Sequence, residues 1–564
     1  MKKNLFLTLW AILCLMWILP AQAQIKFTPM RGSEHVLSYR GAVRELDTLN
    51  LDERFMSFAP FYLIYPDQPL NDQTALALVQ ELGITRQFPG EATGVAVVNP
   101  LGKAYDAKVD VQAYKDLITN MRVVSNLKVI GIGNGATFVN QFIAPIAGEI
   151  AGIVSINGKA GKVQKDGGVP VPAFIVGKGA ANVAKPYIAA NKAERTGKNA
   201  HMQIYTNADE PLQRVVVSEA SNQSLGEIFD DAFAELLSKN YRFNNKYHTW
   251  YEGQKFGENG PYELEPWMNL KEWGVKRNCV VQRIQSYLPT SYLWFEYIPE
   301  GVETAPKQSV PLVLLLHGNG NDPRTQAETS GWIEVAAKEK IFVAELEWQG
   351  KPNFDAMGHD GIETTVELLL RKYPQLDPTR IYTEGLSAGS MTSSALGVKK
   401  SHLFAAIGAM SGGLFAGGGG GFGSDAVMSE AIQKSGAAEV AYVGVCGTDD
   451  MVIRYPRPDT WKGNGITNAW KIYEIMNGMN VVEDYDFAAD EAFGQPQLDR
   501  EVIETTKGIT MQIATLNKGN VPLMKLVAVM NYGHWNFYPA AQVMWDHFKH
   551  FSRDLQTKKL IYKP

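Results

Sequence analysis

A serine flanked by glycines stands between a strand pattern and a helix pattern in the C-terminal half of the chain. Residues 379–383 (TRIYT) have the character of a strand, residues 385–389 read GLSAG, and the helix pattern begins at Met391. A turn this tight brings the backbone close to neighbouring strands, where a Cβ does not fit, so glycine is needed on both sides of Ser387. This order predicts a sharp turn that raises the serine hydroxyl above the carboxyl edge of a sheet.

Strand and helix patterns alternate around this turn. Residues 310–316 (VPLVLLL) form a continuous apolar run, which is typical of a strand buried on both faces. Residues 361–372 have helical periodicity, and further strand patterns follow at residues 404–410, 439–445 and 525–530. Alternation of elements of this length predicts a mostly parallel α/β sheet.

A serine hydroxyl becomes a useful nucleophile only with a general base, and the base needs a carboxylate that orients it. When the serine stands on a turn of this kind, the acid and then the histidine follow it along the chain. His534 lies between the last strand pattern and the last helix pattern, so we predict that it is the base for Ser387. The loop after residues 439–445 supplies two adjacent aspartates, and we favour Asp450 over Asp449 for its spacing from the end of the strand.

The negative oxygen of a tetrahedral intermediate requires N–H donors that are already in place. The backbone N–H of Ala388, directly after the serine, is one predicted donor, and that of Asn319, in the loop after residues 310–316, is the second. We expect His317 in the same loop to have a structural role. Because the sequence has no HExxH, CxxC or comparable metal-ligand spacing, we expect neither a metal nor a cofactor.

Three segments together resemble a known group of enzymes. These are residues 376–412, which contain the GLSAG turn, residues 311–322 (PLVLLLHGNGND) and residues 447–453 (GTDDMVI). They resemble the secreted polyhydroxybutyrate depolymerase and feruloyl or acetylxylan esterase group, and the resemblance extends over residues 285–564. It implies an α/β-hydrolase fold and a carboxylic ester as substrate.

The resemblance also implies roles for individual residues, with Ser387 as nucleophile, Asp450 as acid and His534 as base. This chain differs from the group in one respect. Many relatives have cysteine after His-Gly in the oxyanion loop, where this chain has Asn319. The loop therefore lacks a cysteine that could form a disulfide.

The N-terminal half repeats the order of strands and helices. When residues 131–135 (GIGNG) are aligned with the GLSAG turn without a gap, residues 150–153 fall on residues 404–407 and Gly158 falls on Gly412. This repeat predicts an α/β-hydrolase fold in two tandem copies.

The first of these copies lacks the residues of a triad. Gly133 takes the position of Ser387, residues 177–180 (GKGA) fill the acid loop, and residues 221–223 (SNQ) stand where His534 would be. We therefore predict that the N-terminal copy is degenerate and catalytically inactive.

The glycines of the first copy also fit a dinucleotide-binding turn. Gly131, Gly133 and Ala136 match G-x-G-x-x-G/A. Such a site also needs an acidic residue at the end of the next strand, and the segment IAGIVSING ends without one. We therefore do not expect NAD to bind.

The N-terminus has the pattern of a secretory signal, with two lysines, an apolar run over residues 5–19 and Ala-Gln-Ala at residues 21–23. We predict a secreted or periplasmic protein with no membrane partner once this segment is removed. The predicted organisation is a signal peptide over residues 1–23, a degenerate α/β-hydrolase-like domain over residues 24–240, a linker over residues 241–284 and a catalytic domain over residues 285–564.

The charge of the chain bears on its partners, and its cysteine content bears on possible disulfides. The formal net charge is -5 without a basic stripe, so we expect no nucleic-acid partner. Beyond the signal, only Cys279 and Cys446 remain, which allows at most one disulfide. We expect two packed thiols, and a bridge between them stays open at this point.

The sequence therefore predicts a secreted serine carboxylesterase that removes acyl or feruloyl groups from a polysaccharide. Trp348, Trp461 and Trp535 are candidates to line the substrate cleft. Two alternatives remain: an α/β-hydrolase peptidase, and a non-catalytic binding module in which the triad residues lie apart. The oligomeric state is not determined by the sequence.

Overall fold

A computed structural model of the chain describes most of its residues. The described ranges are 28–30, 33–41, 61–84, 93–121, 126–199, 201–219, 222–243, 263–284, 291–319, 321, 323–350, 354–414, 432–434, 436–505 and 508–564. The predicted signal peptide, residues 1–23, lies outside them. Among the described residues, no helix combines the length and the apolar character needed to cross a membrane.

Ten strands form a single sheet in the N-terminal half. They are β1 (Thr28–Met30), β2 (Ser33–Gly41), β3 (Phe61–Tyr65), β4 (Thr93–Val98), β5 (Leu127–Ile132), β6 (Ile150–Ile156), β7 (Ala173–Val176), β8 (Glu194–Asn199), β9 (Met202–Thr206) and β10 (Arg214–Ser218). Their order across the sheet is β1-β2-β4-β3-β5-β6-β7-β10-β9-β8. The run from β4 to β10 is parallel, and the two strands at each end are antiparallel.

A two-stranded antiparallel sheet follows, formed by β11 (Asn240–Phe243) and β12 (Glu263–Pro266). Ten more strands then form a second large sheet. They are β13 (Val275–Arg283), β14 (Ser291–Pro299), β15 (Val310–Leu316), β16 (Phe342–Leu346), β17 (Leu376–Leu386), β18 (Ala406–Met410), β19 (Ala441–Gly447), β20 (Arg500–Glu504), β21 (Thr510–Lys518) and β22 (Val521–Val529). A small hairpin of β23 (Phe551–Arg553) and β24 (Leu560–Tyr562) ends the chain.

The second large sheet repeats the first strand by strand. Its order is β13-β14-β16-β15-β17-β18-β19-β22-β21-β20, and its parallel run, from β16 to β22, is again bounded by antiparallel strands. This confirms the predicted α/β-hydrolase fold and its occurrence in two tandem copies. We call the described residues from 28 to 237 the first copy and those from 275 to 564 the second copy.

Helices of the first copy pack on both faces of its sheet. They are α1 (Asp72–Leu82), α2 (Val109–Met121), α3 (Asn134–Phe138), α4 (Ala180–Ala190) and α5 (Leu225–Ala232). Successive residues of a strand point to opposite faces, and β3 accordingly sends Leu63 into one apolar cluster with α2 and α4, and Ile64 into another with α1 and α5. A strand buried on both faces is apolar throughout, and for this reason the central strands appear as continuous apolar runs in the sequence.

The helices of the second copy surround one large apolar core. They are α6 (Arg324–Thr329), α7 (Trp332–Glu339), α8 (Gly358–Lys372), α9 (Ala388–Lys399), α10 (Gly465–Met476) and α11 (Ala540–Phe548). Cys279 and Cys446 are not joined by a disulfide, and burial raises the pKa of Cys446 to about 12.

The predicted linker, residues 241–284, is corrected at its end. Its residues 275–283 form β13, which pairs along its whole length with β14 and belongs to the second sheet. β13 is the first strand in the sheet order, so it pairs on one side only among the described strands, and most of its residues are partly exposed. An edge strand with this polar composition does not show the apolar run of a central strand.

Candidate active site

The turn between β17 and α9 has the sharp geometry predicted for it. Ser387 has φ 54° and ψ -115°, a conformation that is uncommon for a residue with a side chain. Its N–H donates to the carbonyl of Met410, at the end of β18, at 2.9 Å. A Cβ on Gly389 would lie 2.0 Å from the carbonyl oxygen of Leu316, and one on Gly385 would lie 2.4 Å from the backbone of Gly389. The neighbouring strands therefore hold the serine in a strained conformation and exclude side chains on either side of it.

His534 and Asp450 are brought together although 84 positions separate them. His534 Nδ1 lies 2.7 Å from Asp450 Oδ2, and the two side chains are 3% and 0% exposed. The other oxygen of Asp450 accepts the backbone N–H groups of Val452 and Ile453, each at 2.9 Å. These bonds fix the carboxylate, and the carboxylate in turn fixes the imidazole with its Nε2 away from the acid.

The neighbouring Asp449 has a different environment. Its side chain is 46% exposed and lies 3.5 Å from the guanidinium of Arg457. Of the two candidate acids, the structure therefore places Asp450, and not Asp449, on His534.

The histidine loop, residues 530–539, extends from β22 back towards the serine turn. The backbone N–H of Asp449 donates to Tyr532 O at 3.0 Å, which joins this loop to the acid loop. Ser411 Oγ, directly after β18, donates to Trp535 O at 3.4 Å. Because Ser387 is bonded to Met410 and Ser411 to Trp535, the serine turn and the histidine loop meet at the carboxyl edge of β18.

The two predicted oxyanion donors follow β17 and β15. Ala388 is the first residue of α9, so its N–H has no acceptor within the helix. Asn319 is an exposed residue of the loop after β15, and its side-chain oxygen accepts from Gln349 at 2.9 Å. His317 in the same loop is fully buried and lies 3.4 Å from Glu347, in keeping with the structural role expected for it.

Two of the three predicted cleft tryptophans are corrected. Trp535 is 1% exposed and donates from its indole N–H to Tyr241 at 2.9 Å, and Trp461 is also buried. Their rings therefore contribute to the core and present no surface to a substrate. Trp348 is only partly buried, and its indole N–H donates to His317 O at 3.0 Å, beside the oxyanion loop.

The first copy has the same turn with glycine in place of the serine. Gly133 has φ 56° and ψ -113°, and its N–H donates to Ile156 O, at the end of β6, at 2.8 Å. A Cβ on Gly135 would lie 2.0 Å from Tyr65 O, just as a Cβ on Gly389 would lie 2.0 Å from Leu316 O. The two turns thus share backbone angles, hydrogen bonds and close contacts.

In the first copy, the side chain of Asp67 lies against the turn at Gly133, a contact that the sequence analysis did not predict. Its Oδ1 accepts the N–H of Asn134, the counterpart of Ala388, at 2.7 Å. A Cβ on Gly133 would lie 2.2 Å from the same oxygen. The carboxylate therefore fills the space of both a nucleophile and an oxyanion. The available signal was its position, two residues after β3, which corresponds to the oxyanion loop after β15.

The other two triad positions of the first copy carry different residues where the structure describes them. β7 is followed by residues 177–180, which lead into α4. In the loop after β10, Gln223 donates to Asp231 at 2.6 Å. Ser221 lies outside the described residues. Within the described part of these loops, no histidine or aspartate corresponds to His534 or Asp450.

Comparison with known proteins gives weak similarities to esterases. No model of a known protein family matches the chain, and no curated protein matches it significantly. An acetyl xylan esterase from Aspergillus awamori is 14% identical over 49% of this chain and 99% of that one, with a TM-score of 0.34. A feruloyl esterase module from Clostridium thermocellum is 13% identical over 49% of this chain and 87% of that one, with a TM-score of 0.32.

Glu384 is a buried acid that the sequence did not single out. It precedes Gly385 on β17, is 1% exposed, and accepts from Gln326 at 2.8 Å and from Trp332 at 3.2 Å. Burial raises the pKa of this carboxyl to about 7. The folded chain therefore holds a proton here that the unfolded chain loses at lower pH.

This proton gives a stability that depends on pH. Compared with a carboxyl that stayed ionised, the protonated side chain of Glu384 stabilises the folded chain. This contribution is complete below the ordinary carboxyl pKa, falls as the pH rises and is lost above pH about 7. The free energy of unfolding should decrease over this range by on the order of 3 kcal/mol. Between pH 5 and pH 8, the free energy of unfolding of Glu384→Gln in urea should decrease less than that of the parent, and the remaining decrease includes the contribution of Glu474, whose pKa burial also raises to about 7. Glu501→Gln, on an exposed edge strand, should show the full decrease of the parent. Identical profiles for the parent and Glu384→Gln would rule out the assignment.

Proposed function

We propose that the chain is a serine carboxylesterase whose active site lies in the second copy. The observation that carries the proposal is the buried 2.7 Å hydrogen bond between Asp450 and His534, beside a strained serine turn. Buried acid, histidine and a serine on such a turn are the components of a nucleophilic triad.

The reaction follows from the roles of these groups. Ser387 Oγ attacks the carbonyl carbon of the ester while His534 Nε2 takes the hydroxyl proton. The N–H groups of Ala388 and Asn319 stabilise the negative oxygen, and Asp450 stabilises the imidazolium. The C–O bond to the alcohol then breaks as His534 returns the proton to the leaving oxygen. Water, deprotonated by His534, attacks the acyl-serine and releases the carboxylic acid, and Ser387 is restored.

The substrate we propose is an acyl or feruloyl ester on a polysaccharide, met in a periplasm or outside the cell. The sequence resemblance to the depolymerase and feruloyl or acetylxylan esterase group supports this class, and the N-terminal signal pattern supports the location. Trp348, which is partly buried beside the oxyanion loop, is the aromatic residue we propose to contact a sugar or an aromatic acid.

The first test measures whether Ser387 is activated. The purified protein is exposed to a fluorophosphonate probe and its intact mass is recorded, with Ser387→Ala beside it. We expect one adduct on the parent and none on the variant, because the probe reacts with a serine that has a general base. A parent that gains no adduct would contradict the esterase proposal and favour a binding module.

The same preparation then distinguishes substrate classes. Methyl ferulate, acetylated xylan and a peptide p-nitroanilide are offered in parallel. Hydrolysis of either ester at a rate above that of Ser387→Ala supports the proposal. Hydrolysis of the anilide alone would support the peptidase alternative.

A further inference from the structure

β11 lies between the two copies and contacts both of them. Asn240 Nδ2 donates to Ala151 O at 2.6 Å, and Arg242 Nε donates to Ile150 O at 2.7 Å, so both side chains bind the backbone at β6 of the first copy. Both side chains are buried. The buried side-chain amine of Lys128, on β5, donates to the carbonyl of Asn240. The first copy therefore holds β11 through three charged or polar side chains.

Tyr241, between these two residues, points to the opposite side, as the alternation of a strand requires. Its hydroxyl accepts the indole N–H of Trp535 at 2.9 Å, and each side chain is 1% exposed. Trp535 is the residue directly after His534. β11, which is bound to the first copy, is therefore hydrogen-bonded through Tyr241 to Trp535, the neighbour of the proposed base His534.

Other contacts fix the same region to the second copy. The ring of Trp267, which follows β12, lies edge-on to Tyr241 at 5.9 Å, and its indole N–H donates to Glu328, on α6, at 2.7 Å. In the histidine loop, Asn536 donates to Thr329 Oγ1, also on α6, at 3.1 Å. Tyr241 therefore has a fixed position between α6 and the histidine loop.

We propose that Tyr241 is a positioning residue for catalysis, and that the first copy acts on the second through β11. The hydrogen bond to Trp535 holds the histidine loop so that His534 remains aligned with Ser387. A base displaced by a fraction of an ångström transfers protons less efficiently, whereas substrate binding is little affected. This inference rests on the proposed esterase function. It gives a structural role to the first copy, in which the described counterparts of the triad positions carry other residues.

The test removes one hydroxyl and compares kcat with KM. Tyr241→Phe is expected to lower kcat for p-nitrophenyl acetate about 10- to 100-fold and to leave KM within about 2-fold. The matched control is Tyr187→Phe in the first copy, where an equally buried hydroxyl donates to Asn140 at 2.8 Å. The control should lower Tm to a similar extent and leave kcat unchanged.

A double-mutant cycle adds a second, independent measurement. Trp535→Phe should lower kcat as Tyr241→Phe does, and the losses in the double variant should be far less than additive, because both variants remove the hydrogen bond between Tyr241 and Trp535. A Tyr241→Phe protein with the parent's kcat, or fully additive losses in the cycle, would overturn the inference while the esterase proposal stands. A parent that neither hydrolyses the ester nor reacts with the fluorophosphonate would overturn both.

Discussion

Asp450→Asn is expected to lower kcat for ester hydrolysis about 10⁴-fold while the protein stays folded. The asparagine oxygen can still accept the two backbone N–H groups that Oδ1 of Asp450 accepts. The new amide, however, presents a donor to His534 Nδ1, where the carboxylate presents an acceptor at 2.7 Å. The imidazole would then carry its proton on Nε2 and could not take one from Ser387.

The control for this variant is the adjacent Asp449→Asn. Asp449 is half exposed and its partner is Arg457, so kcat should change by less than about 3-fold. Steady-state kinetics with p-nitrophenyl acetate and a circular dichroism spectrum of each variant suffice. Equal losses for Asp449→Asn and Asp450→Asn would contradict the assignment of the acid.

Gly389→Ala is expected to destabilise the second copy by about 3 kcal/mol or more. The added Cβ would lie 2.0 Å from Leu316 O and 2.7 Å from His317 O. Both atoms belong to the backbone, so no change of rotamer can relieve the contact, and either β15 or the serine turn must move. Loss of fluorophosphonate labelling should accompany the loss of stability.

The repeat supplies a matched experiment for this variant. Gly135→Ala in the first copy has the same 2.0 Å contact, with Tyr65 O, and should cost a similar free energy. Gly197→Ala is the control, since a Cβ there meets no atom within 4 Å. Urea unfolding of the three variants measures the differences. A free energy of unfolding for Gly389→Ala equal to that of Gly197→Ala would show that the turn can expand.

Local patterns in the sequence were sufficient for the fold. β15 spans the residues predicted from their apolar run, because a strand buried on both faces leaves no polar positions. The gap-free alignment of the two turns is supported by equivalent contacts, since a Cβ on Gly158 or on Gly412 would clash with the helix after the turn.

Features that depend on distant parts of the chain could not be predicted in this way. The sequence makes Trp535 a candidate for the substrate cleft near the triad, but its partner Tyr241 is 294 positions earlier. β13 was read as linker because an edge strand carries polar residues. Asp67 looked like an ordinary loop residue, since its partner Asn134 is 67 positions away. Each of these contacts depends on tertiary packing, which periodicity does not encode. Of the three, only Asp67 had a signal in the sequence, its position two residues after β3.

The carboxylate of Asp67 also resembles the product of the proposed reaction. In the first copy a carboxylate is held permanently at 2.7 Å from the N–H that begins the helix after the turn. Because the turn of the second copy has nearly the same backbone angles, the carboxylic acid that the proposed reaction releases would pass through an equivalent position beside Ala388. We therefore expect free acetate or ferulate to compete with the ester, and the side chain of Asp67 to mark the orientation in which they bind.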